Sequence, residues 1–274
     1  MEFHPTPDLL DDVETVAQAG AEELMPYFRT LRPDQVSEKA RNDLVTVADR
    51  ASESAILDAI GRRFPNHNVL SEEAGWSAQT ESEPTWIVDP LDGTTNFVHG
   101  FPHFAVSVAV RAGDRIQAGV IIDPVKGDVF RAARGMGAWW NGMPCHVSSR
   151  TSLSGAVVAT GFPFKAHGLL DPYLTIFHDV FLSCKAIRRP GAAALDLAYT
   201  ACGIVDGFFE FQLSPWDVAA GAVLVEEAGG TISDMDGGDD YLATGNVLSG
   251  PGGVRRDLFD IVQRHRMAWA EAAD

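Results

Sequence analysis

Apolar side chains recur at helical spacing from about Leu9 to Leu31 (Leu9, Val13, Val16, Ala17, Leu24, Phe28) and stop ahead of Pro33, which predicts an N-terminal amphipathic helix. Lys39 to Asp43 is polar and reads as a loop. Leu44 to Val47 then leads into a second helix from about Ala48 to Phe64, stopped by Pro65-Asn66-His67. Val69 and Leu70 precede an acidic pair, Glu72-Glu73, and Ser77 to Pro84 reads as an exposed, mobile polar loop. From Phe104 onward the period changes. Ala105 to Arg111, Arg115 to Ile122 and Asp128 to Ala133 are β-rich and separated by turn residues, so they predict an antiparallel meander, to which Gly135 to Gly142 adds a short strand and turn.

Around Val147 to Ser154 the chain turns polar, the best place for a boundary between two halves of about 1–147 and 148–274. The second half alternates: strand Ala156 to Thr160, helix Pro172 to Phe181, strand Ala186 to Arg189, helix Ala192 to Cys202, strand Val205 to Phe211. A helix from Asp217 to Ala228 closes at Gly229-Gly230, short strands follow at Gly230 to Ser233 and Asn246 to Ser249, and a last helix runs from about Val254 to Ala270. Such alternation predicts a mixed α+β or α/β fold.

One stretch interrupts this pattern with chemistry: Trp86-Ile87-Val88-Asp89-Pro90-Leu91-Asp92-Gly93-Thr94-Thr95-Asn96-Phe97. Trp86 to Val88 reads as the end of a buried strand, and Pro90 cannot donate to a ladder, so pairing is expected to stop near Asp89. Residues three apart on a strand face opposite ways, so Asp89 and Asp92 meet only if the chain turns between them. Gly93 permits close backbone approach, and the N–H groups of Gly93, Thr94 and Thr95 suit an anion if a helix opens there. Asp-Pro and Asp-Gly alone mean a surface turn. Two further acidic positions change that reading: Glu72-Glu73 after a strand, and Asp217 after Pro215-Trp216 at a helix start. Three such carboxylate groups supply the oxygen donors that Mg²⁺ prefers.

Asp89-Pro-Leu-Asp-Gly-Thr-Thr95, Ser71-Glu-Glu-Ala-Gly75, and Trp216-Asp-Val-Ala-Ala-Gly221 followed by Glu227-Ala-Gly-Gly230 resemble the signatures of the inositol monophosphatase family, its bacterial branch above all. Lys39 to Asp49, Asn96 to Val106, Gly135 to Gly142 and Gly191 to Glu210 resemble it too, so the likeness covers nearly the whole chain as one domain, 1–274. The resemblance implies a layered αβαβα sandwich, as in fructose 1,6-bisphosphatases, and two or three Mg²⁺ ions. It places Asp89 between two ions, Glu72 and the Leu91 carbonyl at the first, and Asp92 and Asp217 at the second. It implies that Thr94, supported by Asp49, orients or deprotonates the attacking water, with Glu72 also in the catalytic set. For substrate it implies Asp92, Gly93, Thr94, Ala193, Glu210 and Asp217, with Glu210 accepting from inositol hydroxyls. A homodimer and lithium sensitivity follow from the resemblance alone. Ser71 departs from the Gly that many relatives carry before the Glu pair.

Several positions keep plainer readings beside these. Glu73 reads equally as a solvated carboxylate, Asp217 as a helix cap, Asp49 as a helix-terminus charge, Lys39 as a surface lysine and Gly191-Ala-Ala-Ala194 as tight helix packing. His99 and His103 read as structural or rim residues, because hard cations prefer oxygen.

The 274 residues carry 38 acidic against 21 basic side chains, net −17, which opposes unaided binding to nucleic acid or anionic lipid. A small phosphorylated substrate stays open, because bound cations invert the local potential. Cys145, Cys184 and Cys202 are too scattered for a disulfide framework or a zinc site. The start, Met-Glu-Phe-His with Asp8, Asp11, Asp12 and Glu14 following, lacks the basic character of a signal peptide, and no apolar run approaches the ~20 residues of a membrane span, so a cytoplasmic protein is expected. The expected activity is Mg²⁺-dependent hydrolysis of inositol monophosphate. The alternatives are a sister phosphatase acting on histidinol phosphate, 3′-phosphoadenosine 5′-phosphate or fructose 1,6-bisphosphate, of which Thr95-Asn96-Phe97 favours the inositol branch by resemblance. A haloacid-dehalogenase-type nucleophile wants Asp-x-Asp-Gly-Thr, and the extra residue between Asp89 and Asp92 argues against it. A reading of another class is a binding partner in RNA metabolism, reached through a basic protein rather than naked nucleic acid.

Overall fold

Thr6 caps the first helix, α1 (Pro7–Leu24): its hydroxyl accepts the Leu9 N–H at 3.2 Å, and Pro7 sits where no N–H is needed. The computed structural model describes residues 6–77 and 84–273. α1 ends at Leu24 rather than Leu31, because Pro26 cannot continue the helical ladder, and the chain passes on through hydrogen-bonded turns to Thr30. The segment read as a loop over Lys39 to Asp43 is instead part of a hairpin, β1 (Val36–Ala40) with β2 (Asp43–Thr46), turned at Arg41-Asn42. Asn42 takes a left-handed φ of 61°, which asparagine tolerates better than most side chains.

Helix α2 (Val47–Arg63) leads to β3 (Asn68–Ser71), β4 (Gly75–Ser77) and β5 (Thr85–Asp92). The polar loop expected over Ser77 to Pro84 lies, apart from those two residues, outside the described residues. After the short α3 (Thr94–Val98), β6 (Ala105–Ala112), β7 (Arg115–Asp123), β8 (Asp128–Ala133), β9 (Gly137–Trp140) and β10 (Met143–Pro144) form the predicted antiparallel meander. With β5, β3 and β4 they make an eight-stranded sheet in the order β10-β9-β8-β7-β6-β5-β3-β4, in which only β3 and β5 run parallel.

A second sheet of five strands follows from β11 (Val157–Thr160), α4 (Leu170–Ser183), β12 (Ala186–Arg188), α5 (Ala193–Ala201), β13 (Gly207–Glu210), α6 (Pro215–Glu227), β14 (Thr231–Ser233), α7 (Tyr241–Thr244) and β15 (Val247–Gly250). Its order is β12-β11-β13-β15-β14. The last predicted helix is broken in two, α8 (Gly252–Arg264) and α9 (Arg266–Ala273), where the His265 N–H bonds to the Val262 carbonyl and tightens the turn.

Three apolar clusters define the layers. α1 and α2 cover one face of the large sheet through Val13, Leu24 and Ile56 against Trp86, Val108 and Val120. α5 and α6 fill the space between the sheets, where Leu197, Ala220 and Val223 meet Phe130, Ile121 and Phe208. α4, α8 and α9 cover the far face of the small sheet around Tyr173, Phe209 and Leu258. The result is the αβαβα sandwich expected. Every residue of β5 is buried, because Trp86 and Val88 face the first cluster and Ile87 faces the one between the sheets. Trp86, fully buried there, finds an acceptor for its indole N–H at His67 Nδ1, 3.0 Å away. Among the described residues no helix is long and apolar enough to cross a membrane.

Gly221 on α6 lies against α5 so closely that an added Cβ would sit 2.5 Å from Leu197 Cδ1. Replacement Gly221→Val is expected to force the two helices apart and cost about 1–3 kcal/mol. A lowered urea midpoint with an unchanged slope is the expected readout; an unchanged midpoint contradicts the close packing.

Candidate metal centre

The site begins with a count of residues. On β5 and β6, Asp89 faces Ser107 and Asp92 faces Ala105, so three steps on one strand match two on the other. That extra residue is a β-bulge, and it reverses the alternation that would otherwise turn Asp89 and Asp92 to opposite sides. Pro90 occupies the bulge, where no ladder donor is required, and the strand resumes pairing at Asp92 instead of stopping near Asp89. The Leu91 N–H donates to Asp89 Oδ1 at 2.9 Å and fixes the first carboxylate.

Gly93 follows with φ 93°, a left-handed conformation that favours glycine, and a Cβ there would lie 3.2 Å from the His103 carbonyl and 3.3 Å from that of Gly191. α3 then opens at Thr94. Asn96 Nδ2 reaches the carbonyls of His103, Pro190 and Gly191 at 2.8, 3.0 and 3.2 Å, tying the signature to the loop before α5. From that helix the Ala194 N–H donates to Asp92 Oδ2 at 2.8 Å. Asp217 arrives from the other side as the third residue of α6. One of its oxygens accepts the Ser214 N–H at 2.7 Å in a capping box, so the helix cap itself is Ser214 and Asp217, three residues on, is its reciprocal partner.

Asp89, Asp92 and Asp217 each bring a carboxylate oxygen within 4.8 Å of the others. Burial, reinforced by the charges of Glu72, Asp92 and Asp217, holds Asp89 well above the usual carboxylate range. Burial, with the Asp217 charge next, pushes Asp92 up to about 8, and burial raises Asp217 as well. Glu72 is pushed up to about 7 by burial, against the nearby Lys39 ammonium. Lys39 Nζ, on the β1–β2 hairpin, pairs with Glu72 Oε1 at 3.0 Å and Glu73 Oε1 at 2.6 Å. An all-oxygen set of carboxylates, strained by its own charge, fits a hard divalent cation. The residues present therefore suit a hard divalent metal ion.

Beside the cluster, the Thr94 hydroxyl lies 3.1 Å from both Asp49 Oδ1 and the Leu91 carbonyl. Asp49 Oδ2 accepts the N–H and hydroxyl of Thr46 at 2.9 and 2.6 Å, so the helix-terminus role is real and leaves Oδ1 to Thr94. Burial pushes Asp49 up to about 6 despite the hydrogen bonds from Thr46 and Thr94. A cleft of about 680 Å³ joins Glu72, Asp89, Leu91, Asp92, Gly93, Thr94 and Asp217, a size suited to a small ligand. Ala193 and Glu210 are not among its lining residues. Glu210 lies against Gly161, where any Cβ would collide with its carboxylate, and burial pushes it up to about 8 although Arg189 opposes the rise. His103 is buried and pushed down to about 4, hence neutral, and His99 caps the C-terminal end of α3.

The sequence reading did not single out Asp43, Phe162, Phe164, Lys165 or Arg189 at the cleft wall. Arg189 stacks over the Phe162 and Phe164 rings at 5.8 and 5.1 Å, and Lys165 pairs with Asp43 at 2.9 Å across the mouth. The adjacent Phe-x-Phe-Lys run was the available signal.

Fold and site together define a layered α/β protein built round a carboxylate cluster able to hold a cation. A family model described as the inositol monophosphatase family matches residues 8–266, and the chain belongs to that metal-dependent family. It is 49% identical over 248 residues to Nus factor SuhB of Escherichia coli K12, covering 90% of this chain and 92% of that one. Among solved structures, it is similar to the extragenic suppressor protein suhB of Bartonella henselae (TM-score 0.90, 38% identity, covering 94% of this chain and 99% of that one). It is also similar to the inositol monophosphatase of Anabaena sp. PCC 7120 (TM-score 0.84, 38% identity, covering 94% and 96%).

Raised carboxylate values in the folded state set a sign for stability. The contribution is fully present below the unfolded values near 4 and is lost as pH rises through about 6 to 8, the range to which Asp49, Glu72 and Asp92 are pushed. In EDTA the melting temperature is expected to fall between pH 5.5 and 8, and Mg²⁺ to raise it more at pH 8 than at 5.5. A melting temperature indifferent to both pH and cation contradicts the site.

Proposed function

We propose that the protein is a Mg²⁺-dependent phosphatase that hydrolyses inositol monophosphate to myo-inositol and phosphate. The convergence of Asp89, Asp92 and Asp217 at the floor of a small-molecule cleft carries the reading. Asp89, Asp92, Asp217, Glu72 and the Leu91 carbonyl are the residues to hold two or three ions. Bound divalent cations neutralise a phosphate monoester and lower the pKa of a water molecule. The chain's own part is proton handling and placement. Thr94 gives its hydroxyl hydrogen to Asp49 Oδ1, which leaves an oxygen lone pair to accept a hydrogen from water. Proton loss from that water runs through Thr94 to Asp49, whose carboxylate, pushed up to about 6, is matched to a base working near neutral pH. Gly93 and the start of α3 bring backbone N–H groups to the phosphate side. Glu210 and Ala193, assigned to the sugar hydroxyls by the family resemblance, stand behind the cleft wall rather than on it.

The relative named Nus factor SuhB favours a second reading, in which the chain also serves as a binding partner in RNA metabolism. Its net charge of −17 directs that role to a basic protein. A pull-down from lysate at moderate salt that recovers only the protein itself contradicts it. The homodimer, the cytoplasmic location and lithium inhibition belong to the same proposal; light scattering that returns a mass near 29.5 kDa refutes the dimer.

Phosphate release from myo-inositol 1-phosphate is expected to exceed that from histidinol phosphate, 3′-phosphoadenosine 5′-phosphate and fructose 1,6-bisphosphate, and to stop in EDTA. A competitor faster by about tenfold, or ~1.4 kcal/mol in transition-state binding, overturns the substrate. Asp92→Asn is expected to abolish turnover with the fold intact, and Thr94→Ala to lose about 10²–10⁴-fold. Near-normal turnover in Asp92→Asn sinks the metal assignment.

A further inference from the structure

Helix α2 presents Asp49, Ser52, Glu53 and Ile56 on one face, at the spacing i, i+3, i+4, i+7. All four are buried, three of them polar, on the side of the helix that faces β5. Asp49 takes the Thr94 hydroxyl. Ser52 Oγ donates to the Pro90 carbonyl at 2.8 Å, inside the bulge that aligns Asp89 with Asp92. Glu53 Oε1 accepts three donors from the Glu72 turn: the Ser71 hydroxyl in a short hydrogen bond, the Glu73 N–H at 3.2 Å and the Ala74 N–H at 2.9 Å.

These contacts fall where the sheet stops holding the chain. β3 pairs with β5 only from Asn68 to Ser71, and the Glu72 N–H adds one bond to the Val88 carbonyl. Beyond that point the Ser71–Gly75 pair of β3 with β4 closes the turn and Lys39 holds the Glu72 and Glu73 side chains from above, while from below its Glu73 and Ala74 N–H groups rest on one carboxylate oxygen of Glu53. The Ser71 hydroxyl supplies one of the three donors to that oxygen.

We propose that Glu53, with Ser52, is a positioning residue for the cation site: α2 clamps the Glu72 turn and the Pro90 bulge at a fixed separation, so residues that touch no ligand set the affinity for divalent ions. The proposal rests on the cation-site reading above. Removing Glu53 frees the turn to rotate Glu72 away from Asp89 while leaving Asp89, Asp92 and Asp217 in place. Ion affinity is therefore expected to fall before turnover at saturating ion does.

The test is Mn²⁺ titration of the full chain by paramagnetic resonance, with Mg²⁺ activation of phosphate release measured in parallel. Loss of a group that orients a metal ligand typically weakens binding about 10–100-fold, and Glu53→Ala is expected to show this in both titrations, with turnover at saturating Mg²⁺ largely kept. Glu53→Gln is expected to recover most of the affinity, because its amide oxygen still accepts from the turn. Equal Mn²⁺ affinity in Glu53→Ala and the unaltered chain overturns the proposal alone. A Glu53→Gln variant as weak as Glu53→Ala overturns the hydrogen-bonded clamp. No Mn²⁺ binding by the unaltered chain overturns the cation-site reading and this proposal with it. If circular dichroism shows Glu53→Ala unfolded, Ser71→Ala decides: a loss of about threefold or more supports the clamp, and unchanged affinity overturns it.

Discussion

The structure depends on one electrostatic constraint: three carboxylates brought within 4.8 Å of one another in a largely buried cleft floor. At an effective dielectric of about 20, each like-charged pair at that distance costs about 3 kcal/mol. Three such pairs approach about 10 kcal/mol, comparable with the roughly 5–15 kcal/mol stability of a whole domain. Hydrogen bonds from Leu91, Ala194 and Ser214 return only part of that. Two outcomes relieve the rest, protonation or a cation. The raised carboxylates express the first, and the all-oxygen donor set invites the second.

The sandwich exists around this site as much as around its cores. The carboxylates come from the second half of a fully buried strand and the start of a helix in the central layer, so buried, regularly hydrogen-bonded backbone carries the molecule's most costly charges. Asn96 and Ala194 then tie the signature to the loop and helix that begin the second sheet's share of the site. Strain of this kind persists only where surrounding packing over-determines the geometry.

Much of this arrangement was legible in the sequence, because its elements follow local rules. The meander from Ala105 to Ala133 announced itself by turn residues at fixed places, and the three acidic motifs by their position at strand ends and a helix start. What was not legible depended on partners remote in the chain. Lys39 to Asp43 looked like a loop because its polar side chains meet the cleft mouth rather than a core, although its strands pair well. Pro90 looked like a strand terminator because no single sequence rule distinguishes a stop from a bulge; only the register against Ser107 and Ala105 does. The basic and aromatic wall, Phe162, Phe164, Lys165 and Arg189, joins two segments that sequence spacing keeps apart.

Helix α2 shows the same limit more sharply. Its pattern is poorly amphipathic: Asp49, Ser52 and Glu53 occupy the buried face that periodicity reserves for apolar side chains. Read alone, that is a weak helix. Read beside the turns it touches, each polar group has an assigned acceptor or donor in the site, so the departure from pattern is where function enters the fold. A helix that buries only apolar residues there would pack the first layer equally well, yet it would leave the Glu72 turn, the Pro90 carbonyl and the Thr94 hydroxyl without these partners. The polar face of α2 is thus explained by the site it supports and by nothing in the core itself.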